Sequence, residues 1–327
     1  MKALVTGATG FIGSAIVRDL LEDGEEVRVL VRERSDTRNV DGLDVERVYG
    51  DIRDGDAMKR ALSGCDMMYF TAALFAHWTP DVDLLYEVNV GGTRASLRAA
   101  LEVGLEKVVY TSTNNAIAAS GPVPTDEEAV FNYWKAGDHY SMSKYVAENE
   151  ARSFVSRGLP VVIVNPTLVI GTNDAKPTPS GQMIIDVVKR RMPGYIDGGI
   201  NVIDVADVSR GHVLAAKKGR IGERYLLGNR NLTVEEYLKL IADTAGVAPP
   251  KVKVPYRLAL AFAYFSELRA AISKAPPVVT AGEVRIAKMR EWYDCSKAVN
   301  ELGLPQTPID VTVRKAITWF RANGYLS

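Results

Sequence analysis

The sequence has little cysteine and no excess charge of either sign. Its 327 residues include 2 Cys and 3 His, and 40 Lys plus Arg balance 40 Asp plus Glu. A formal net charge of zero exerts no general attraction on phosphate backbones or anionic lipid, which argues against nucleic acid or a membrane as the main partner. Cys65 and Cys295 are far apart, and no cluster of His, Cys and carboxylates has the spacing of a metal site. We therefore expect two reduced thiols and no metal.

Long apolar runs are also missing. The longest, residues 258–265, is far shorter than the roughly 20 residues that span a bilayer, and we expect it to form a buried helix. The chain enters a strand pattern at residue 2, with no charged and apolar leader before it. These features predict a cytoplasmic protein.

Short β-branched runs alternate with helical periodicity from residue 3 to about residue 166. Strands are predicted at residues 2–6, 27–31, 45–49, 67–71, 107–111 and 160–164, and helices at 13–23, 54–62, 84–103 and 141–156. Nearly continuous apolar strands separated by helices are typical of a doubly wound parallel sheet, because both faces of such a sheet are covered. The predicted class is therefore an α/β fold of the Rossmann type.

A glycine-rich turn follows the first predicted strand and opens a helix, with the sequence Thr6-Gly7-Ala8-Thr9-Gly10-Phe11-Ile12-Gly13. Gly7 permits a tight turn, Gly10 lets the backbone approach a pyrophosphate, and Gly13 lets the helix pack closely on the strand. Free N–H groups at the helix N-terminus then face the phosphate. This context predicts a dinucleotide site formed by Gly7, Thr9, Gly10, Phe11, Ile12 and Gly13.

The end of the second strand indicates which dinucleotide is bound. An acidic residue there takes the ribose 2′-OH of NAD, whereas arginine accommodates the 2′-phosphate of NADP. Arg32 holds the first position after the predicted strand, which favours NADP. NAD remains an alternative cofactor, because a strand one residue longer would place Glu33 at the ribose. Arg34 and Arg38 lie nearby, either as further phosphate contacts or as exposed loop residues.

A tyrosine and a lysine are spaced four residues apart near the start of a predicted helix. Tyr140 and Lys144 fall on one face at this spacing, so the phenol and the ammonium can point into the same cleft. A neighbouring cation stabilises a phenolate and would lower the pKa of Tyr140 from its usual value of about 10. A tyrosine tuned in this way exchanges a proton with an alcohol while hydride moves to or from a nicotinamide.

Three hydroxyl residues stand at the end of the fifth predicted strand, namely Thr111, Ser112 and Thr113. The carboxyl end of a parallel strand faces the crevice where α/β sheets bind ligands, and a hydroxyl there can hydrogen-bond a substrate carbonyl. Thr and Ser also form turns at strand ends, so the position alone leaves both roles open.

Together with Asn165-Pro166, these motifs resemble the extended short-chain dehydrogenase/reductase family, and the similarity covers most of the chain. Within that family the sequence looks closest to the dihydroflavonol-4-reductase-like bacterial branch, which includes proteins described as hopanoid-associated sugar epimerases. The narrower similarity is carried by residues 165–171 and 176–181.

The resemblance implies roles for individual residues. Tyr140 would be the general acid/base, Lys144 would lower its pKa and hold the nicotinamide ribose, and Thr113 would polarise the substrate oxygen where most relatives have serine, with Ser112 in reserve. Asn89 is expected to be structural. The cofactor residues implied beyond the glycine turn are Asp51 and Ile52 at the adenine, Thr71, Ala72 and Ala73 beside the cofactor, and Pro166 and Thr167 near the nicotinamide amide.

The pattern of the chain changes after Pro166, where Gly and Pro residues interrupt it. We expect residues 1–171 to form the NAD(P)-binding domain, and residues 201–223, with a strand at 201–205, to return to it. Residues 172–200 and 224–327 would form a smaller substrate-binding annex. Many relatives pair the helices predicted at 84–103 and 141–156 into a homodimer, which is expected here as well.

Three functions follow from this interpretation. The first is an NADP(H)-dependent oxidoreductase that interconverts a ketone and a secondary alcohol on a small apolar or ring-bearing molecule. The second is a nucleotide-sugar epimerase or dehydratase with tightly held NAD, against which Arg32 argues. The third is a non-catalytic NADP(H) sensor, which intact Tyr140 and Lys144 disfavour.

Overall fold

The computed structural model describes residues 1–119, 121, 123–273 and 275–326. Its largest element is a parallel sheet of seven strands, β1 (Lys2–Thr6), β2 (Glu26–Val31), β3 (Glu46–Tyr49), β4 (Met67–Phe70), β5 (Lys107–Thr111), β6 (Val161–Pro166) and β9 (Arg224–Leu227). The strand order is β3-β2-β1-β4-β5-β6-β9, and each neighbouring pair is parallel. The doubly wound α/β fold predicted from the sequence is confirmed.

A smaller sheet contains β7 (Leu168–Ile170), β8 (Gly199–Asp204) and β10 (Arg230–Thr233), in the order β10-β8-β7. The helices are α1 (Phe11–Glu22), α2 (Gly55–Leu62), α3 (Val82–Tyr86), α4 (Gly92–Val103), α5 (His139–Val155), α6 (Pro179–Val188), α7 (Val205–Lys218), α8 (Val234–Ala245), α9 (Tyr256–Ser273), α10 (Ala281–Ala287) and α11 (Ile309–Ala322). A π-turn at Glu87–Gly91 joins α3 to α4, so the helix predicted at 84–103 is continuous but locally widened.

Two apolar cores cover the two faces of the main sheet. In β1, Ala3 and Val5 face the core shared with α1 and α7, whereas Leu4 faces the core shared with α2, α4 and α5. The alternation arises because successive strand side chains point to opposite faces, and here both faces are covered. This explains why the strands are apolar at nearly every position.

The strand predicted at 201–205 belongs to the smaller sheet and not to the main sheet. That strand forms as β8, but it pairs with β7 and β10 instead of returning to the main sheet. The seventh strand of the main sheet is β9, which comes from the region expected to be annex. Local pattern predicts a strand but not its partner. Within residues 201–223, α7 does pack on the main sheet. The division of the chain into two domains stays a prediction.

Residues 258–265 form the predicted helix, but the prediction that this helix is buried was wrong. These residues lie in α9, but Leu258, Phe262 and Phe265 are 64%, 52% and 66% exposed. The small residues Ala263 and Ala270 face the protein instead. A short apolar run does not show which of its faces has a neighbour. Among the described residues, no helix is both long and apolar enough to cross a bilayer.

Candidate active site

The predicted site residues meet at one edge of the main sheet. Because the strands are parallel, the loops that follow β1, β4, β5 and β6 all emerge at the carboxyl edge, where open α/β sheets bind their ligands. These loops begin with Gly7, Thr71, Ser112 and Thr167 respectively. The strand order reverses between β1 and β4, so the glycine turn lies at the switch point of the sheet.

The glycine turn is packed as tightly as its sequence indicates. Gly7 has φ +68°, and a Cβ there would lie 2.7 Å from Thr71 Oγ1. A Cβ on Gly13 would lie 2.3 Å from the carbonyl oxygen of Gly7, so no side chain fits between helix and turn. Gly10 N–H donates to Gly7 O over 2.9 Å and closes the turn. Gly7 and Gly13 are therefore required by contact with their neighbours, whereas a Cβ on Gly10 would lie 3.1 Å from Gly7 O.

The first turn of α1 is suited to an anion. Its N-cap is Gly10, which supplies no side-chain cap, and the first turn contains no acidic residue. The N–H groups of Phe11, Ile12 and Gly13 have no partner within the helix and carry the positive end of its dipole. These residues and the close approach at Gly13 fit the pyrophosphate of a dinucleotide, and Thr9 O is held in the same turn by Asn39 Nδ2 at 3.2 Å.

The loop after β2 presents three charged side chains to the outside. β2 ends at Val31, so Arg32 is the first residue after the strand, and Arg32, Glu33 and Arg34 are exposed. Arg38 differs, because its guanidinium is bound by Asp36, with Nε 2.8 Å from Oδ2. Arg32 is thus exposed directly after β2 and has no ion-pair partner among the described residues, whereas Arg38 is already engaged.

The remaining residues implied for the cofactor occupy different environments. Asp51 follows β3 and accepts from the Arg53 guanidinium at 3.0 Å on both carboxylate oxygens, which holds the pKa of Asp51 below its usual range. Thr71 Oγ1 donates to Thr6 O over 2.6 Å, and Thr167 Oγ1 donates to Asn201 Oδ1 over 2.9 Å. Of the others, Ile52 is buried, Ala72 is half-buried, Ala73 is exposed, and Pro166 ends β6.

Tyr140 and Lys144 are both buried in the first turns of α5. Tyr140 is 8% exposed and packs against the rings of Phe75 and His77, whose centroids lie 4.6 and 5.7 Å away. The Lys144 ammonium donates to the carbonyl oxygen of Thr111 over 2.9 Å, at the end of β5. The pair therefore joins the start of α5 to the carboxyl edge of the sheet.

The pKa of Tyr140 differs from the expectation. Burial raises the pKa of Tyr140 above its usual value, and the Asp138 carboxylate raises it further. Lys144 is not among the groups that shift the pKa of Tyr140, and its ammonium donates to the Thr111 carbonyl. Burial lowers the pKa of Lys144 to about 8. At neutral pH the phenol is protonated and the ammonium is mostly charged.

The hydroxyls after β5 are held unequally. Thr113 Oγ1 donates to Asn114 Oδ1 over 3.2 Å and caps the short 3-10 turn Asn114–Ala116. The carbonyl of Thr113 accepts from Asn165 Nδ2 at 2.9 Å, which fixes its backbone. Ser112 Oγ is buried and has no hydrogen-bond partner among the described residues. Both hydroxyl candidates thus lie at the carboxyl edge, and Ser112 has hydrogen-bonding capacity to spare.

A His–Asp pair that the sequence did not reveal lies beside Tyr140. His77 Nδ1 lies 2.9 Å from Asp138 Oδ1, and the other carboxylate oxygen of Asp138 caps α5 by accepting from Ser141 N at 2.8 Å. Burial lowers the pKa of His77, but the hydrogen bond and charge of Asp138 outweigh it, so the pKa is raised overall. Burial raises the pKa of Asp138, but His77 and Ser141 lower it below its usual value.

The sequence analysis also did not identify several other polar residues at the site, because no motif marks them. Glu291 accepts from Tyr133 Oη at 2.6 Å, and Asn114 Nδ2 donates to Tyr293 Oη over 3.1 Å beside Thr113. Burial raises the pKa of Glu291. These residues are separated by up to 179 positions in sequence, so no local pattern could have grouped them. Asn89, expected to be structural, does bridge Leu74 and Ser143 from inside the π-turn.

A doubly wound sheet with a glycine turn at its switch point and a buried Tyr–Lys pair beside it defines a dinucleotide-dependent enzyme. Residues 3–228 match the model of the NAD dependent epimerase/dehydratase family. The chain belongs to this family, within the extended short-chain dehydrogenase/reductases, and is an NAD(P)-dependent oxidoreductase.

Relatives match the chain along its whole length. A Synechocystis sp. protein provisionally named dihydroflavonol 4-reductase is 40% identical over 98% of this chain and 95% of its own. Sterol demethylase protein B of Methylococcus capsulatus is 34% identical over 100% of both chains. The 4-hydroxy-2-methyl-3-oxo-4-farnesyl-3,4-dihydroquinoline-1-oxide ketoreductase of Stigmatella aurantiaca is 27% identical over 93% of this chain and 91% of its own.

Solved structures show the same architecture. The crystal structure of gox2253 is 39% identical, with a TM-score of 0.89 over 99% of both chains. PA4631, a nucleoside-diphosphate-sugar epimerase from Pseudomonas aeruginosa, is 28% identical, with a TM-score of 0.82 over 100% of this chain and 99% of its own. UDP-glucose 4-epimerase of Thermus thermophilus, solved with NAD, is 25% identical, with a TM-score of 0.77 over 98% of this chain and 99% of its own.

We expect Gly13→Ala to weaken dinucleotide binding by about tenfold or more and to cost about 1–3 kcal/mol of stability, because the new methyl group would push α1 away from the Gly7 carbonyl. Fluorescence titration and urea unfolding measure the two effects. Gly55→Ala is the matched control, since a Cβ at that helix start meets nothing within 4 Å. Equal binding by both variants would contradict the prediction.

The His77–Asp138 pair should stabilise the protein in a defined pH range. The raised pKa of His77 contributes below about pH 6.5 and is lost as pH rises through its folded value, and the lowered pKa of Asp138 contributes above about pH 4 and is lost in acid. His77→Gln should therefore cost about 1–2 kcal/mol at a pH between these limits and less in alkali.

Urea unfolding across this pH range measures the effect. His139→Gln is the control, because His139 is exposed at the start of the same helix and lacks a carboxylate partner among the described residues. A cost of His77→Gln that does not change with pH would show that the ion pair is not its source.

Proposed function

We propose that this protein is an NADP(H)-dependent oxidoreductase that interconverts a ketone and a secondary alcohol on a small apolar or ring-bearing molecule. The observation that carries the proposal is the burial of Tyr140 and Lys144 together at the carboxyl edge of the sheet, the edge from which the glycine turn also emerges. NADP(H), when bound, supplies or accepts the hydride. The chain itself must bind the dinucleotide, orient the substrate oxygen and move one proton.

Proton transfer is assigned to Tyr140 Oη. Its raised pKa keeps the phenol protonated at neutral pH, which is the form that gives a proton to a carbonyl oxygen during reduction. Lys144 holds the nicotinamide ribose and places positive charge near the phenol. Thr113 Oγ1, or Ser112 Oγ with its free hydrogen-bonding capacity, donates to the substrate oxygen.

The remaining residues along the same crevice are assigned to cofactor binding. Gly7, Thr9, Gly10, Phe11, Ile12 and Gly13 bind the pyrophosphate, and Arg32 takes the 2′-phosphate. Asp51 and Ile52 lie at the adenine side, where Asp51 is held by Arg53. Thr71, Ala72, Ala73, Pro166 and Thr167 line the path toward the nicotinamide.

An apolar substrate is supported by the relatives and by the walls around Tyr140. The named substrates of two relatives are a sterol and a farnesyl-bearing quinoline. Here the ring of Phe75, 47% exposed, lies against Tyr140, and Trp78 follows in the same loop. A homodimer through α4 and α5 remains part of the proposal.

A nucleotide-sugar epimerase or dehydratase with retained NAD is the alternative. It is favoured by Glu33, an exposed carboxylate beside Arg32, and by the epimerase solved with NAD. Reduction and reoxidation of a bound cofactor would use the same Tyr140 and Lys144. The two functions differ in whether the dinucleotide exchanges with solution.

Tyr140→Phe should reduce turnover by about 10²–10⁴-fold while leaving NADPH binding nearly unchanged, because the ring still packs on Phe75 but carries no exchangeable proton. Carbonyl reduction followed at the absorbance of NADPH measures this, with a binding titration beside it. Tyr145→Phe is the control on the same helix, since its hydroxyl has no hydrogen-bond partner among the described residues. Unchanged turnover in Tyr140→Phe would refute the mechanism.

Nucleotide identity separates the two functions. We expect the purified protein, once denatured, to release no bound NAD, and the emptied protein to prefer NADPH to NADH. Arg32→Ser should reduce that preference by about 10–100-fold, the loss of a charged hydrogen bond to phosphate. Arg38→Ser should not, because Arg38 is bound by Asp36. Stoichiometric retained NAD would favour the epimerase.

A further inference from the structure

α9 has the reverse of the usual arrangement of side chains on a surface helix. Its small residues Ala263, Ser266 and Ala270 face the protein, packed on α10 and the segment before it. Its large apolar side chains project outward, and five of them are more than half exposed: Leu258, Phe262, Phe265, Leu268 and Ile272. At 3.6 residues per turn these side chains form one face from Leu258 to Ile272, about 21 Å of helix.

The same face carries positive charge. Residues 251–273 contain four basic residues and one acidic residue, namely Lys251, Lys253, Arg257, Arg269 and Glu267. Glu267 is turned inward, where its carboxylate accepts from Ala281 N at 2.8 Å. Arg257 and Arg269 are exposed beside the apolar side chains, with no carboxylate partner in the described part of the chain. Lys253 precedes α9 and is paired with Asp197, with its Nζ 3.0 Å from Oδ2. The unpaired positive charge on α9 itself therefore comes from Arg257 and Arg269, although the whole chain is neutral.

α9 is also coupled to the catalytic end of α5. Arg285 of α10 donates through Nη2 to Tyr264 Oη on α9 over 2.7 Å, and through Nη1 to Ala136 O over 2.9 Å. Ala136 precedes Asp138, which caps the helix that carries Tyr140. α9 is therefore linked through Arg285 to the turn that precedes α5.

We propose that α9 docks this protein on an anionic lipid membrane. The helix lies in the plane of the interface, with Phe262, Phe265 and Ile272 among the acyl chains and with Arg257 and Arg269 at the phosphate groups. Projecting apolar side chains with interspersed arginine need no complementary shape from a bilayer, and the arginine stems extend toward the headgroups. This departs from the expectation based on net charge, because only the charge near α9 meets the lipid.

A second copy of the chain fits this face less well. In a two-fold interface the same patch meets itself, so Arg257 and Arg269 would approach their own counterparts with no exposed acid in residues 251–273 to neutralise them. The homodimer proposed above uses α4 and α5, which are different surfaces. Membrane docking does not rest on the proposed reaction, because it concerns binding and not turnover.

The test is flotation of the full-length protein with vesicles of phosphatidylcholine alone and with added phosphatidylglycerol. We expect binding to the anionic vesicles that weakens at high salt. Phe265→Ser/Leu268→Ser should bind about tenfold or more weakly, because it removes buried apolar area without touching the core. Arg257→Gln/Arg269→Gln should abolish the preference for phosphatidylglycerol.

Val130→Ser and Ile221→Ser are the matched controls. Both side chains are as exposed as those of α9, at 83% and 56%, and both variants should float as the parent does. No flotation with either vesicle, or equal flotation of Phe265→Ser/Leu268→Ser, would overturn the proposal. So would a concentration-dependent dimer that Phe265→Ser/Leu268→Ser dissociates, since a second copy would then cover the face. Unaltered turnover in all variants would confirm that the folds are intact.

Discussion

The structure depends on the close contact between α1 and the turn that precedes it. Gly13 lies against the carbonyl of Gly7, and Gly7 lies against Thr71, so the first helix, the first strand and the end of β4 are held at backbone distance. This contact sets where the helix N-terminus points. The other strand ends follow from it, because parallel strands in register bring their loops to the same edge. A site assembled from four loops thereby gains a fixed geometry.

The catalytic end of α5 is positioned by buried polar bonds instead of by packing alone. Asp138 binds His77 on one oxygen and the first turn of α5 on the other, while Lys144 binds the end of β5. The bonds to His77 and to Thr111 join two different loops to the same helix. Their burial has an electrostatic consequence, since it favours the neutral phenol and weakens the hold of Lys144 on its proton.

The sequence was sufficient to predict the features that depend on neighbours along the chain. The glycine turn, the end of β2 at Val31 and the common helix of Tyr140 and Lys144 are local, and the structure has them where they were predicted. Strand pairing, burial and side-chain contacts that depend on residues distant in sequence could not be predicted. β8 has the pattern of any buried strand, and residues 258–265 have the composition of a core helix although the neighbouring surface leaves their large side chains uncovered. His77 and Asp138 meet only through the fold.

The place of β9 in the main sheet affects how the chain is made. The strand that covers the edge of β6 comes after both β7 and β8 of the smaller sheet, so a ribosome must release residue 227 before the large sheet is complete. Until then the nascent chain carries β6, apolar from Val161 to Val164, as an open edge, and such an edge is a template for pairing with other chains. The interleaved order of the two sheets therefore leaves one edge of β6 uncovered for as long as residues 167–227 are being synthesised.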